Sequence, residues 1–347
     1  MKKILSIDGG GIRGIIPGQI LVALEEKLKV QTGDQDTRIA DHFDFFAGTS
    51  TGGILTCLLL CPSPEDPKKA KFTAKEAVNL YLEHGAKIFN KNTLQSVLNP
   101  MGLLDEIYNA SPLEKLLKEY FGDLRLSQLI KPCIIPAYDI DNRTSYFFAQ
   151  HDYAVCGPGK DFLVRDVCRA TSAAPTYFET ALVKSISGVS YPLIDGGVFA
   201  NNPTLCAYSE IRNAIDTPTA ADMYILSIGT GSQHLPYKYE KAKDWGKIGW
   251  IQPVIDIMMA GASETTNYHL EKMYSAVQKE GNYNRIQPAR MGNASLEMDN
   301  ASQTNLQALS EVGIKTSEDC SVKLDEIVKV LMEEPDPVKF KLEYGIY

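Results

Sequence analysis

Residues 43–57, FDFFAGTSTGGILTC, take the chain from an extended apolar run into an apolar helix through one tight turn. Gly48-Thr49-Ser50-Thr51-Gly52 has the G-x-S-x-G spacing. In a strand-to-helix turn of this kind the serine sits on a sharp corner with its hydroxyl raised above the sheet edge. Glycine is needed on both flanks, because any Cβ would strike the neighbouring strand or helix. The helix start behind Ser50 also favours negative charge. The plainer alternative is a glycine-rich turn in which Ser50 caps the helix. In either case the chain must contain a sheet with a helix packed on it.

A second glycine turn opens the chain. ILSIDGGGIRG, residues 4–14, runs an apolar strand into Gly9-x-Gly11-x-x-Gly14. That spacing cradles a pyrophosphate in dinucleotide-binding domains, which require a second strand ending in an acidic residue about 20 positions later. Residues 28–42, LKVQTGDQDTRIADH, contain acids but no convincing buried strand. Two glycine turns on adjacent strands, one bearing a serine, suit acyl transfer better. The loop Gly9, Gly10, Gly11 would then supply amides to a tetrahedral oxyanion, with Arg13 adding charge or fixing the loop.

A serine nucleophile also needs a base. None of the five histidines (His42, His84, His151, His234 and His269) ends a clear strand beside a glycine turn. Asp195, in YPLIDGGVFANNP, does end an apolar strand, and Gly196 and Gly197 let the backbone pass close to another element. Chemistry in α/β sheets gathers at the carboxyl ends of strands. Its ordinary alternative is an Asp-Gly turn residue.

Further apolar strands are expected in 132–141 and 144–150, paired around Asp141-Asn142, then two in 180–197 and one at 223–231. Helices are expected over 15–29, 75–88, 103–121 and 163–175, and after Asn202-Pro203. Residues 240–347 read as helix and loop. Alternation of strands with helices implies an α/β chain with a mainly parallel sheet covered on both faces.

With 44% hydrophobic and 22% charged residues, 347 residues can build a large core. A net charge of −8 argues against sequence-independent nucleic-acid binding. No segment reaches the roughly 20 apolar residues of a membrane span. The start at two lysines and a strand, without an apolar leader, and seven scattered cysteines both suit a reducing, cytoplasmic setting. Cys57 and Cys61, one helical turn apart, read as core rather than as metal ligands.

Three motifs in order, DGGGIRG (8–14), GTSTG (48–52) and DGG (195–197), together resemble the patatin-like phospholipase family. RATSAAPTYF (169–178), FANNP (199–203) and LSIGTG (226–231) extend the resemblance. It implies a three-layer α/β/α sandwich over residues 1–310, with 311–347 as a helical extension on the same body. It further implies a lipid acyl hydrolase with Ser50 as nucleophile and Asp195 as general base. Gly9, Gly10, Gly11 and Arg13 form its oxyanion loop, Gly48 and Gly52 flank the elbow, and Gly196 and Gly197 complete the second motif. No cofactor or metal belongs to such a dyad.

The expected partner is a phospholipid or other fatty acyl ester, with peripheral membrane contact. Two readings stand beside it: the same chemistry gated by a cyclic nucleotide activator, in a homo-oligomer, as an anti-phage effector, and acyl transfer to a thiol or alcohol. Residues 103–108, 147–150 and 175–178 are expected to line an acyl groove, and loops 62–75 and 89–102 to form lids. Trp245 and Trp250 are expected at a lipid interface or in packing of the C-terminal helices.

Overall fold

The computed structural model describes residues 1–89, 107–231 and 236–340. Eight strands form one sheet: β1 Lys2–Ile7, β2 Phe45–Gly48, β3 Cys133–Asp139, β4 Thr144–Ala149, β5 Ala181–Lys184, β6 Ser190–Asp195, β7 Met223–Ile228 and β8 Tyr283–Ile286. Its order is β5-β6-β3-β2-β1-β7-β8, with β4 paired to β3. The block β3-β2-β1-β7-β8 is parallel throughout. Among the described residues the antiparallel pairs are β3–β4, β3–β6 and β5–β6, so the sheet is mainly parallel as expected.

Among the described residues, helices of eight or more residues are α1 Ile15–Thr32, α2 Thr51–Leu59, α3 Ala74–Ile88, α4 Ser111–Phe121, α5 Val164–Thr171, α6 Thr204–Arg212, α7 Lys247–Ala276, α8 Gln303–Asp319 and α9 Ser321–Leu331. Side chains on a strand alternate between faces. Leu5 and Ile7 of β1 accordingly enter the core built with Ile20 and Leu24 of α1, Leu55 of α2 and Leu309 of α8. Ile4 enters a second core on the opposite face, with Ala207 of α6 and Leu270 and Tyr274 of α7. Helices therefore cover both faces, giving three layers.

The sequence reading requires three corrections. β8 was expected to be helix or loop; it is a four-residue strand that completes the parallel edge beside β7. β1 begins at Lys2 rather than after the lysines. Lys3 is buried and donates to the carbonyls of Leu331 and Glu333, at the end of α9. A cation there is favoured by the helix dipole. Finally, the helix expected over 103–121 starts at Ser111, and residues 103–106 lie outside the described residues.

One consequence of the register positions the site. β4 pairs with residues 134–139 of β3 and so occupies one of its edges. β2 pairs with Cys133 and Ile134, and β6 with Ala137, Tyr138 and Asp139. Both must therefore lie along the other edge of β3. β2 runs parallel to β3 and β6 antiparallel, so their carboxyl ends approach head-on. Ala47 faces Ile134 and Asp195 faces Ala137, about 10 Å apart along β3 at the usual strand rise. The turn that follows β2 spans that gap.

Candidate active site

Ser50 occupies the corner between β2 and α2 with φ 54° and ψ −121°. A non-glycine residue at positive φ is strained and persists only where its surroundings over-determine it. The surroundings here do so. The Ser50 amide donates to Thr171 Oγ1 at 3.0 Å, and that hydroxyl donates to the Pro136 carbonyl at 2.6 Å. Thr49 Oγ1 donates to the Ala200 carbonyl at 2.6 Å. The flanking glycines are sterically required: a Cβ on Gly52 would lie 2.2 Å from the Ile7 carbonyl oxygen, and one on Gly48 equally close to that of Gly52.

Asp195 ends β6 and is buried. Its carboxylate accepts the Gly197 N–H at 2.6 Å and lines the same cavity as Ser50, whose hydroxyl favours its charged form. Burial pushes its pKa from the ordinary 3.8 up to about 7, while the Gly197 and Ser50 hydrogen bonds pull it back. A carboxylate near neutrality is a far better base than one near 4. Gly196 lets this end of the chain pass β3, because a Cβ there would sit 2.4 Å from the Pro136 carbonyl oxygen.

β1 lies next to β2, with Ile7 opposite Gly48, so the first glycine loop emerges beside the elbow. Gly9 donates its amide to the Asn201 carbonyl at 3.0 Å, Ile12 to that of Met298 at 2.8 Å, and Arg13 to that of Gly10 at 3.2 Å. Among the described residues, no acceptor takes the amides of Gly10 and Gly11, and both residues line the cavity that holds Ser50 and Asp195. Gly9 backs onto Ser50 with its donor already spent. The Arg13 side chain grips the loop from behind, donating to the carbonyls of Gly10 at 3.4 Å and Gly231 at 3.2 Å.

The cavity is otherwise apolar, lined by Ile54, Ile88, Phe89, Leu113, Phe178 and Met259 among others. Of the expected groove segments, Pro175, Tyr177 and Phe178 reach it. Phe147 packs on Phe199 and Phe148 on Phe162, so 147–150 belongs to the body of the fold. Ile107 and Tyr108 line the adjoining cleft, where Tyr108 stacks on Tyr177. None of residues 62–75 lines the cavity, and 90–102 of the other expected lid lie outside the described residues. His234 also lies outside them. None of the other four histidines lines the cavity; His42 faces the Leu331 carbonyl, and His151 pairs with Glu210 and stacks on Phe340. Cys57 and Cys61 are buried in the core.

Sequence reasoning missed the supports. Thr171 sits within RATSAAP, but nothing local marks it as the acceptor for the elbow amide. Arg285, on the missed strand β8, forms a two-pronged ion pair with Asp8 and also donates to Ser227 Oγ. Asp8 is buried and directly precedes the glycine loop. Replacing Arg285 by alanine would strand that carboxylate. The expected result is a loss of about 3–5 kcal/mol of stability, read by denaturant unfolding. An unchanged midpoint would show that Asp8 does not depend on this partner.

A model of the patatin-like phospholipase family matches residues 5–208. Patatin-like protein 2 of Oryza sativa subsp. indica is 37% identical, with 90% of this chain and 83% of that protein covered. Patatin-like protein 1 of Arabidopsis thaliana is 36% identical, over 91% and 81%. Patatin group J-1 of Solanum tuberosum is 34% identical, over 90% and 83%. The crystal structure of VipD from Legionella pneumophila overlaps 94% of this chain and 67% of its own, at 13% identity and a TM-score of 0.40. By its family-model match and its similarity to these plant proteins over most of its length, this chain belongs to the patatin-like phospholipase family.

Proposed function

We propose that this protein is a phospholipase A-type lipid acyl hydrolase that uses Ser50 as nucleophile, Asp195 as general base and the amides of Gly10 and Gly11 as oxyanion donors. The observation that carries the reading is a buried carboxylate sharing one apolar cavity with a serine on a strained elbow and with two unspent amides.

Asp195 takes the Ser50 proton as Oγ attacks the ester carbonyl. The carbonyl oxygen becomes an oxyanion, held by the amides of Gly10 and Gly11 without reorganisation of the loop. The tetrahedral intermediate collapses, and Asp195 returns the proton to the departing alcohol, a lysophospholipid for a phospholipid substrate. Water then gives a proton to Asp195 and attacks the acyl-serine, releasing the fatty acid and restoring the Ser50 hydroxyl. Every step uses side chains and backbone already in place, and none requires a cofactor.

The test is mass spectrometry of lipids extracted after incubation with mixed phospholipid vesicles. Matched release of free fatty acid and lysophospholipid is expected from the parent and not from Ser50→Ala. Fatty acid appearing on an added alcohol or thiol would instead indicate acyl transfer, and equal release by both proteins would overturn the reading.

A further inference from the structure

α7 presents two different faces. Ile255 and Met259 turn inward and line the cavity with Ser50 and Asp195. Trp250, Val254, Ile257 and Met258 are 40%, 40%, 47% and 49% exposed. At about 100° per residue these four fall within one arc of roughly 100° on the helix surface. Asp256 is the only charged residue from 248 to 263. Single exposed apolar side chains are ordinary, but a contiguous stripe marks an interaction site.

The segment leading into α7 has a different and complementary chemistry. PYKYEKAKDWGKIGW, residues 236–250, interleaves aromatic rings with Lys238, Lys241, Lys243 and Lys247. Only Glu240 and Asp244 oppose these lysines, one of them already paired as Lys243–Glu240, in a chain of net charge −8. Tyr239 is exposed, and the rings of Tyr237, Trp245 and Trp250 pack edge to face in succession at 5.2 and 5.1 Å. Aromatic rings with a polar edge favour the boundary between water and lipid, and lysines favour an anionic surface. Among the described residues, no helix is long and apolar enough to cross a membrane. The stripe is thus suited to lying in an interface rather than spanning one.

We infer that residues 237–258 are the surface by which this protein seats on an anionic bilayer, with Trp250, Val254, Ile257 and Met258 entering the headgroup–acyl boundary. The choice of a lipid partner rests on the hydrolase reading. The structural reason is that one helix carries the stripe on its outer face and part of the cavity wall on its inner face. Seating the stripe places the acyl layer one helix thickness from the wall of the cavity that holds Ser50.

Trp245 and Trp250 are the only two tryptophans of the chain, so selectively excited tryptophan emission reports on this surface alone. Ser50→Ala protein, which would leave lipid undigested, is mixed with vesicles of phosphatidylcholine containing a minority of phosphatidylglycerol. A blue shift of emission, quenching by brominated acyl chains and co-sedimentation with the vesicles are expected. The double substitution Val254→Asp, Met258→Asp should lower vesicle partition by about tenfold or more. In a protein with Ser50 intact, it should leave hydrolysis of soluble p-nitrophenyl butyrate unchanged.

Emission unmoved by vesicles, or equal partition of parent and double variant, would overturn the inference. So would a dimer in lipid-free buffer that the double variant abolishes, since a second copy would then cover the stripe. Failure to hydrolyse the soluble ester would count against the hydrolase reading alone, and intact ester hydrolysis without vesicle binding against the docking surface alone.

Discussion

Ser50→Ala is expected to lower hydrolysis of soluble p-nitrophenyl esters by a factor on the order of 10⁵ or more, the scale seen when a serine hydrolase loses its nucleophile. The substitution removes one oxygen from a residue held mainly through its backbone. The Ser50 amide stays on Thr171 and the elbow glycines stay packed against Ile7 and Gly52, so the fold should persist. Binding of a non-hydrolysable acyl analogue should persist with it. Residual activity comparable to the parent, with the protein folded, would mean that the elbow serine is only a turn residue.

Asp195→Asn should lower kcat/KM by about 10²–10⁴-fold, the range that a positioned general base contributes. Asparagine is nearly isosteric, and its carbonyl oxygen can still accept the Gly197 amide, so the loss should fall on chemistry rather than on folding. The same substitution has an opposite effect on stability. The folded-state pKa of Asp195 lies near 7, above its ordinary 3.8. Between those values the folded protein binds more protons than the unfolded chain, so stability falls as pH rises through this window. Above pH 7 the buried charge costs up to about 4 kcal/mol. Asp195→Asn should therefore unfold at higher denaturant than the parent at pH 8, and the difference should disappear below pH 4. A variant that is less active and also less stable at pH 8 would indicate a structural role for the carboxylate.

The parts of the site legible in the sequence are those encoded by short-range sterics. Gly48, Gly52 and Gly196 mark places where backbone passes backbone; Gly48 and Gly196 sit at expected strand ends and Gly52 at the start of the expected helix. The apposition of Ser50 and Asp195 is not encoded locally. It depends on β2 and β6 sharing one edge of β3, which only the register of three strands determines. β8 escaped notice because YNRI is four residues long and carries an arginine; its strand conformation is imposed by pairing with β7. Arg285 was missed with it, and so was the ion pair that anchors the first glycine loop.

Lys2 and Lys3 read as a charged end and are in fact strand residues, their charges met by Asp336 and by carbonyls at the end of α9. Apolar segments were the least informative. Phe147 and Phe178 are alike in sequence context, yet one packs on Phe199 while the other lines the cavity. The stripe on α7 could not be distinguished from core by its spacing, since buried and exposed helix faces share the same periodicity.

The central claim is that a carboxylate, without an imidazole, activates Ser50. It is tested most directly by the pH dependence of kcat/KM for a soluble ester, measured on the parent and on Asp195→Asn. A single ionisation is expected in the parent, with activity rising tenfold per pH unit to a plateau above about pH 7, and that limb should be absent from the residual activity of the variant. An acid limb of unchanged position in Asp195→Asn would assign the ionisation to another group and contradict the account.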